Sequence, residues 1–531
     1  MDRIVRCKSL RVRLGIAGIA CLGTTLGACG GSDPPAPNPD SVQAAITRLE
    51  TQIPQWMART GVPGVAVAVV FRGQTVYAQG FGVRRVDQGG AVDADTVFQL
   101  ASVSKSVGAT AMATQMPGAA ATAQPAIDWS TPIQRLMPGF ALAYPNPQTN
   151  GRLTLGDLYG HRSGLPDHAG DQLEDIGYDR AEILQRLRAV ALRPYGSYDY
   201  TNFGLTAAAQ AMAQARGTDW ATLSEQALYR PLGMGRTSSR FADFAAQANR
   251  AWGHVQVDIS YDTYGALPAR YVVQQPPRQP DAQSPAGGVS SSATDMAQWM
   301  KLVLAQGQWQ GRALASPAAL QAAMTAHPDG KYGYGFNVGT DPHGHASVSH
   351  SGAFVMGAAT SFILWPEAQL GVTVLTNAQP RGLAEAIAVL FGERAWDDAP
   401  AADWLMAMQN LDAMHGQYKP QGRLVGQPPP AAPTSPPPLA SLVGRYSNAY
   451  YGDARIELNA AGDALQLVLG PAAVRHGLRH WDGDVFTFAP QGESATPGSI
   501  SAVTFTPGQM QIERYAEDLE HGHFTRAAEQ P

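Results

Sequence analysis

Lysine is rare in this chain, and one lysine stands in a chemically suggestive place. Of Lys8, Lys105, Lys301, Lys331 and Lys419, only Lys105 has a serine three positions before it, in Ser102-Val103-Ser104-Lys105. At the start of a helix, side chains at i and i+3 share a face, so this spacing sets a hydroxyl beside an amine. A serine is a poor nucleophile until a neighbouring base takes its proton. The positive end of the helix also favours the negative charge that develops during attack. Taken alone, the same four residues suit a solvated helix face.

Two further groupings carry compatible chemistry. In Tyr200-Thr201-Asn202, extended backbone would point the first and third side chains the same way. A phenol and an amide would then face one cleft. A phenolate near Lys105 is a candidate base, and Asn202 a candidate to orient lysine and substrate. In His350-Ser351-Gly352, on an expected strand, the glycine allows close approach. The N–H of Ala353, joined to that of Ser102, would make an oxyanion hole. His350 is placed to bind a carboxylate or polarise the site. Each grouping has a plain structural reading too: a core tyrosine, a satisfied core histidine.

Other chemistries fit poorly. No Gly-x-Ser-x-Gly occurs. His343, His345 and His350 cluster, and His161 and His168 lie close, but the spacings of a metal hydrolase are missing, and His343-Gly344-His345 reads as a hairpin turn. No metal and no cofactor is expected. The three cysteines, Cys7, Cys21 and Cys29, exclude a cysteine nucleophile or a disulfide beyond residue 29. The net charge is −5 with no basic run, which gives nucleic acid no footing.

The elements that must position these groups come next. A basic stretch ending at Arg13 precedes an apolar run from Leu14 to Ala28. That run is short for a bilayer span and reads as an export signal. Leu26-Gly27-Ala28-Cys29 resembles the lipobox of bacterial lipoproteins, with Cys29 as the lipidated residue. Gly30-Gly31-Ser32-Asp33-Pro34-Pro35 follows as a tether. The expected location is therefore the cell envelope, lipid-anchored to a bacterial membrane, on the periplasmic side in a Gram-negative cell.

Apolar spacing predicts a helix from Val42 to Arg59. Gly64–Phe71 and Thr75–Val83 read as a hairpin around Arg72-Gly73. The stretch from about 125 to 300 is mostly helical. Strand signals return at Tyr334–Val338, Ser347–Ser351, Thr360–Trp365 and Gly371–Thr376, followed by a helix from Arg381 to about Trp396. Strands from both ends of this region thus enclose a helical insert, which predicts an α+β body: one antiparallel sheet flanked by helices, a helical subdomain, and a cleft between them. Pro428-Pro429-Pro430 and Pro436-Pro437-Pro438 mark a linker. Short alternating strands beyond it predict a small antiparallel β-barrel, separable from the body. The expected division is a signal over 1–28, a tether over 29–42, a body over 43–417, a linker over 418–438 and a barrel over 439–531.

Order and spacing bind the three groupings together. Ser-x-x-Lys, then Tyr-x-Asn in a helical insert, then His-x-Gly on a returning strand resembles the β-lactamase and penicillin-binding-protein family of serine hydrolases. The resemblance covers about residues 43 to 397. It extends to Leu153-Thr154-Leu155-Gly156-Asp157-Leu158, to His161-Arg162-Ser163-Gly164-Leu165-Pro166 and to Ser284-Pro285-Ala286-Gly287-Gly288-Val289. The last domain is similar to the lipocalin-like tail of some of these hydrolases. The resemblance implies Ser102, Lys105 and Tyr200 as catalytic, and Asn202, His350, Gly352 and Ala353 as substrate-binding. It implies an acyl-enzyme route on an ester or amide of a small molecule or peptide. Histidine at 350, where most lactamases have lysine, points to the D,D-peptidases, D-aminopeptidases and lactamase-fold esterases. A true β-lactamase and a catalytically silent, lipid-anchored binding protein are the alternatives.

Overall fold

Helix α1 (Pro39–Thr60) begins where Asn38 accepts hydrogen bonds from the backbone of Asp40 and Ser41, and Ser41 Oγ accepts from Asn38 N in return. This reciprocal cap satisfies amides that a helix start leaves unpaired. The helix stops at Gly61, whose φ of 79° brings it so close to Ala269 that a Cβ would lie 2.1 Å from that carbonyl oxygen. The computed structural model describes residues 36–528 except 121–125, 258–267, 329, 342–343, 397–401, 416–418 and 517–521. The signal segment, Cys29 and the first half of the tether fall outside the described residues.

Strands β1 (Gly64–Phe71), β2 (Gln74–Arg85) and β3 (Gly89–Ala91) come from the N-terminal side, and β4 (Asn337–Thr340), β5 (Ala346–Phe354), β6 (Ala358–Trp365) and β7 (Leu370–Thr376) from the C-terminal side. They form one seven-stranded antiparallel sheet, ordered β4-β5-β6-β7-β1-β2-β3. The β1–β7 seam closes the two ends of the body on each other, with Val65 opposite Thr376 and Phe71 opposite Leu370.

Side chains of β1 alternate between two cores, as a pleated strand requires. Val65, Val67, Val69 and Phe71 pack with Leu49 and Ile53 of α1 and with Ile387 and Phe391 of the helix Leu383–Trp396. Ala66, Ala68 and Val70 face the other way, toward a core with Trp299 and Met300 of the helix Ala293–Leu304 and with the helical insert. Small residues on this second face let the helices that carry the site approach closely.

The C-terminal domain is a closed barrel of eight strands in sequential order, from Gly444–Asn448 to His523–Arg526. Its strands include Gly444–Asn448, Val474–Asp482, Gln509–Ile512 and His523–Arg526, whose alternation is weak in the sequence. The Val474–Asp482 strand alternates basic and small residues outward, so its inward set is too sparse to show as a hydrophobic pattern. The barrel is docked rather than tethered. Tyr450 and Tyr451, in its first turn, are buried against the body, and one apolar core runs through both. The proline-rich segment lies along the barrel, with Ile500 N donating to Gln421 O and Gly483 N to Thr434 O. Among the described residues, no helix is long and apolar enough to cross a membrane.

Candidate active site

Ser102 sits in a single 3-10 turn, Ala101–Val103, that runs straight into helix α2 (Ser104–Ala113). The turn is strained: Ala101 has φ 47°, a left-handed value that a residue with a Cβ adopts at a cost of order 1–3 kcal/mol. The surroundings hold it there. Leu100 N donates to Val289 O at 2.8 Å, and Thr360 Oγ1 to Leu100 O at 2.6 Å. Gly352 of β5 lies against the same turn. A Cβ there would stand 2.2 Å from Leu100 O, 2.4 Å from Thr360 Oγ1 and 2.9 Å from Ser102 N. The glycine is thus needed first for backbone packing, and it also keeps the space beside the Ser102 amide open.

Lys105 follows one turn later and is fully buried. Its Nζ lies 3.0 Å from Ser102 Oγ, 2.6 Å from Asn202 Oδ1 and 3.0 Å from the carbonyl oxygen of Ala286. Burial pushes the amine down to about 7, against the pull of Asp171 in the opposite direction. Tyr200 donates its O–H to Ser102 Oγ at 2.8 Å. Burial holds that phenol well above its ordinary range, so it carries its proton at neutral pH. Ser102 Oγ therefore stands between an amine that is readily neutral and a phenol that stays protonated. Lys105 Nζ also lies 4.5 Å from the centre of the Tyr200 ring.

The Tyr200 segment is extended only through Thr201. Asn202 is the first residue of helix α3 (Asn202–Ala215), not the third of a strand. It still reaches Lys105, because the helix start turns its side chain back toward the cleft. Its Nδ2 donates to Asp171 Oδ2 at 2.8 Å, so both ends of the amide are fixed. The 161–168 loop supports the tyrosine: Thr201 N donates to His161 Nδ1, and His168 N to Tyr200 O.

His350 is brought to the edge of the same cluster but is not free to greet a ligand. It is 2 % exposed, one ring nitrogen bonds Ser351 O at 2.7 Å, and Nε2 lies 3.0 Å from the hydroxyl of Tyr332. Burial, and then the nearby Lys105, hold it down to about 3. It is a neutral imidazole with both nitrogens occupied, which removes the charge a carboxylate contact would use. Ala353 follows Gly352 on β5, beside the Ser102 turn.

The structure gathers Ser102, Lys105, Tyr200, Asn202, His350, Gly352 and Ala353 in one place. It adds residues that spacing did not reveal. Tyr332, His161 and Tyr198 form an aromatic wall around Tyr200, with ring centres of His161 4.5 Å from Tyr200 and 4.9 Å from Tyr332. Asp171 holds Asn202 and also His168, whose Nδ1 is 2.7 Å from the same carboxylate oxygen. Although burial would lower His168, the Asp171 hydrogen bond and the nearby acidic charges push it up to about 9. Nothing in the sequence around Asp171 marked it. His343 lies outside the described residues, and His345 pairs with Asp341 and stacks on Trp396 as part of the turn between β4 and β5. Among the described residues, no group of three or more histidine, cysteine or acidic side chains is arranged to hold a metal ion.

Comparison with known proteins identifies the family of the body. A family model described as Beta-lactamase matches residues 47–391, and one described as Domain of unknown function (DUF3471) matches residues 428–513. The unguisins hydrolase of Aspergillus violaceofuscus is 23% identical over 495 residues, covering 85% of this chain and 83% of that protein. Esterase EstB of Burkholderia gladioli is 25% identical over 392 residues, covering 67% of this chain and 96% of that protein. The octameric penicillin-binding protein homologue from Pyrococcus abyssi matches 91% of this chain and 100% of its own at a TM-score of 0.54 and 19% identity, which shows a shared fold. The chain is a hydrolase-type member of the β-lactamase family, with the serine β-lactamase and transpeptidase-like fold and an eight-stranded C-terminal β-barrel.

Proposed function

We propose that this protein is an exported serine hydrolase that cleaves an ester or amide through an acyl-enzyme on Ser102, of the esterase or D-amino-acid peptidase and amidase type. The observation that carries the proposal is the placement of Ser102 Oγ, 3.0 Å from an amine depressed to about 7 and 2.8 Å from a protonated phenol.

The hydrogen-bond capacities assign the roles. A neutral amine has two N–H donors and one lone pair. Lys105 gives its donors to Asn202 Oδ1 and Ala286 O, which leaves the lone pair for the Ser102 hydroxyl proton. Ser102 Oγ then attacks the carbonyl carbon as its proton passes to Lys105. The oxyanion forms against the N–H groups of Ser102 and Ala353. Tyr200, whose proton burial retains, gives that proton to the leaving oxygen or nitrogen and recovers it from Lys105 by way of the cluster. Water then attacks the acyl-enzyme by the same route reversed, releasing the acid and restoring Ser102. A positioned base of this kind contributes roughly 10²–10⁴-fold.

Relatives named for ester and for unguisin hydrolysis support the reaction class. A histidine at 350, neutral and bonded to Tyr332, favours an ester or D-peptide over a β-lactam, because the cation of the lactamase motif is missing. The test is a panel of p-nitrophenyl esters, D-amino-acid amides and nitrocefin on purified residues 30–531, beside fluorophosphonate labelling of wild type and Ser102→Ala. Turnover of an ester or D-amide with Ser102-dependent labelling is expected. Labelling that persists in Ser102→Ala would refute the assignment. Export and a lipid on Cys29 belong to the same proposal, supported by the lipobox-like Leu26–Cys29 stretch.

A further inference from the structure

We propose that Asp171 is a positioning residue for the Ser102–Lys105 pair and that the C-terminal barrel holds it in place, so that the barrel is a working part of the active site. The proposal rests on the serine-hydrolase reading above.

The chain of contacts is continuous. Asp171 Oδ2 accepts from Asn202 Nδ2 at 2.8 Å, and Asn202 Oδ1 accepts from Lys105 Nζ at 2.6 Å. An amide whose two ends are both engaged cannot flip or swing, so the carboxylate decides where the lysine acceptor sits. The other carboxylate oxygen, Oδ1, is buried with no hydrogen-bond partner among the described residues, so the side chain is held through Oδ2 alone, by Asn202 and His168.

Asp171 lies on a segment held from both sides: the body grips it through Glu174, which accepts from Arg278 and Gln283, and the barrel adds contacts of its own. Gly170 N donates to Tyr450 OH at 2.8 Å, the hydroxyl of Tyr451 donates to Gln172 Oε1, and Tyr178 OH donates to Tyr451 O at 3.0 Å. The approach leaves no slack: a Cβ on Gly452 would stand 2.1 Å from Tyr178 OH, and one on Gly470 2.2 Å from Ile176 O. The barrel also reaches the opposite wall. Glu493 and Ser494 donate their backbone N–H groups to Asp175, while the Glu493 carboxylate accepts from Val355 N at 2.6 Å and Met356 N at 3.2 Å, just past Ala353. One domain thus grips both the segment that aims Lys105 and the strand that lines the oxyanion position.

Removing the Asp171 charge has a direction. Around Lys105, Asp171 and the face of the Tyr200 ring favour the charged amine, burial and the protonated His168 oppose it, and His161 and His350 are held neutral. Asp171→Asn keeps the shape and deletes the negative charge. The experiment uses the full chain: kcat and KM from pH 5 to 9.5 and the rate of fluorophosphonate labelling, for wild type, Asp171→Asn and Tyr450→Phe, with melting temperatures confirming the fold. We expect Asp171→Asn to lose between about tenfold and about 10²-fold in kcat, as for a misplaced catalytic group. KM should stay near wild type, labelling should slow in parallel, and the acid limb of kcat/KM should move to lower pH. Tyr450→Phe, which removes only the acceptor for Gly170 N, should lower kcat severalfold at unchanged KM. Wild-type kcat and acid limb in Asp171→Asn would overturn the role of Asp171, and wild-type kcat in folded Tyr450→Phe would overturn that of the barrel. A wild-type enzyme that is neither labelled nor active would overturn the functional reading and this inference with it.

Discussion

Proton concentration is the mildest perturbation of the cluster, and the structure gives both its sign and its size. Lys105 is proposed as a base, so it acts only in its neutral form. An ordinary lysine titrates near 10.4 and is neutral in about one molecule in 2,500 at pH 7. Lys105, pushed down to about 7 by its burial, is neutral in about half. Because its folded value is depressed, lowering the pH through 7 removes active enzyme, and raising it restores activity to a plateau. The limb should fall tenfold per pH unit, so that kcat/KM at pH 5 is about 10²-fold below its value above pH 8. No alkaline decline from the phenol is expected below about pH 10, since burial keeps Tyr200 protonated. The assay is the initial rate on a p-nitrophenyl ester from pH 5 to 9.5 at substrate well below KM, with spontaneous hydrolysis subtracted. A profile flat across this range would refute the reasoning, as would a limb that keeps its position and height in Lys105→Ala.

Three other outcomes follow from the geometry. Tyr200→Phe keeps the ring over Lys105 and deletes the donor to Ser102 Oγ, so kcat should fall by roughly 10²–10⁴-fold with labelling of Ser102 still measurable. Gly352→Ala puts a Cβ 2.2 Å from Leu100 O and should cost roughly 1–3 kcal/mol, read as a lowered midpoint in urea unfolding, together with most of the activity. Cys29→Ser should release the protein from the membrane fraction of the expressing cell, and an equally firm attachment would exclude lipidation at that residue.

The three chemical groupings were legible because each depends on short-range spacing. Ser102 and Lys105 share a helix face through backbone periodicity alone, and lysine is scarce enough here for one Ser-x-x-Lys to stand out. The alternating sheet and the returning strands were legible because β1, β6 and β7 are rich in β-branched and aromatic residues, whose burial on pleated faces gives a regular pattern. The edges of elements were less so. Tyr334 and Gly335 read as strand, but Gly335 turns with φ 80° to let its carbonyl accept from Ser106 Oγ, and the strand begins at Asn337.

What the tertiary structure alone decided is protonation and mutual restraint. A sequence lists a lysine, a tyrosine and a histidine with ordinary titration ranges. Only their enclosure shows that the amine is easily neutral, the phenol firmly protonated and His350 unable to hold a charge, because desolvation depends on what surrounds a group rather than on its neighbours in the chain. Asp171 and Tyr450 are equally invisible beforehand, since they act across 31 and 280 positions of sequence. The proline-rich stretch suggested two separable units for the same reason: composition records that a segment is not a helix or strand, but not what the domains on either side of it touch. The sequence determined which groups could do the chemistry; packing decided which of them carry a proton and which element keeps them aimed.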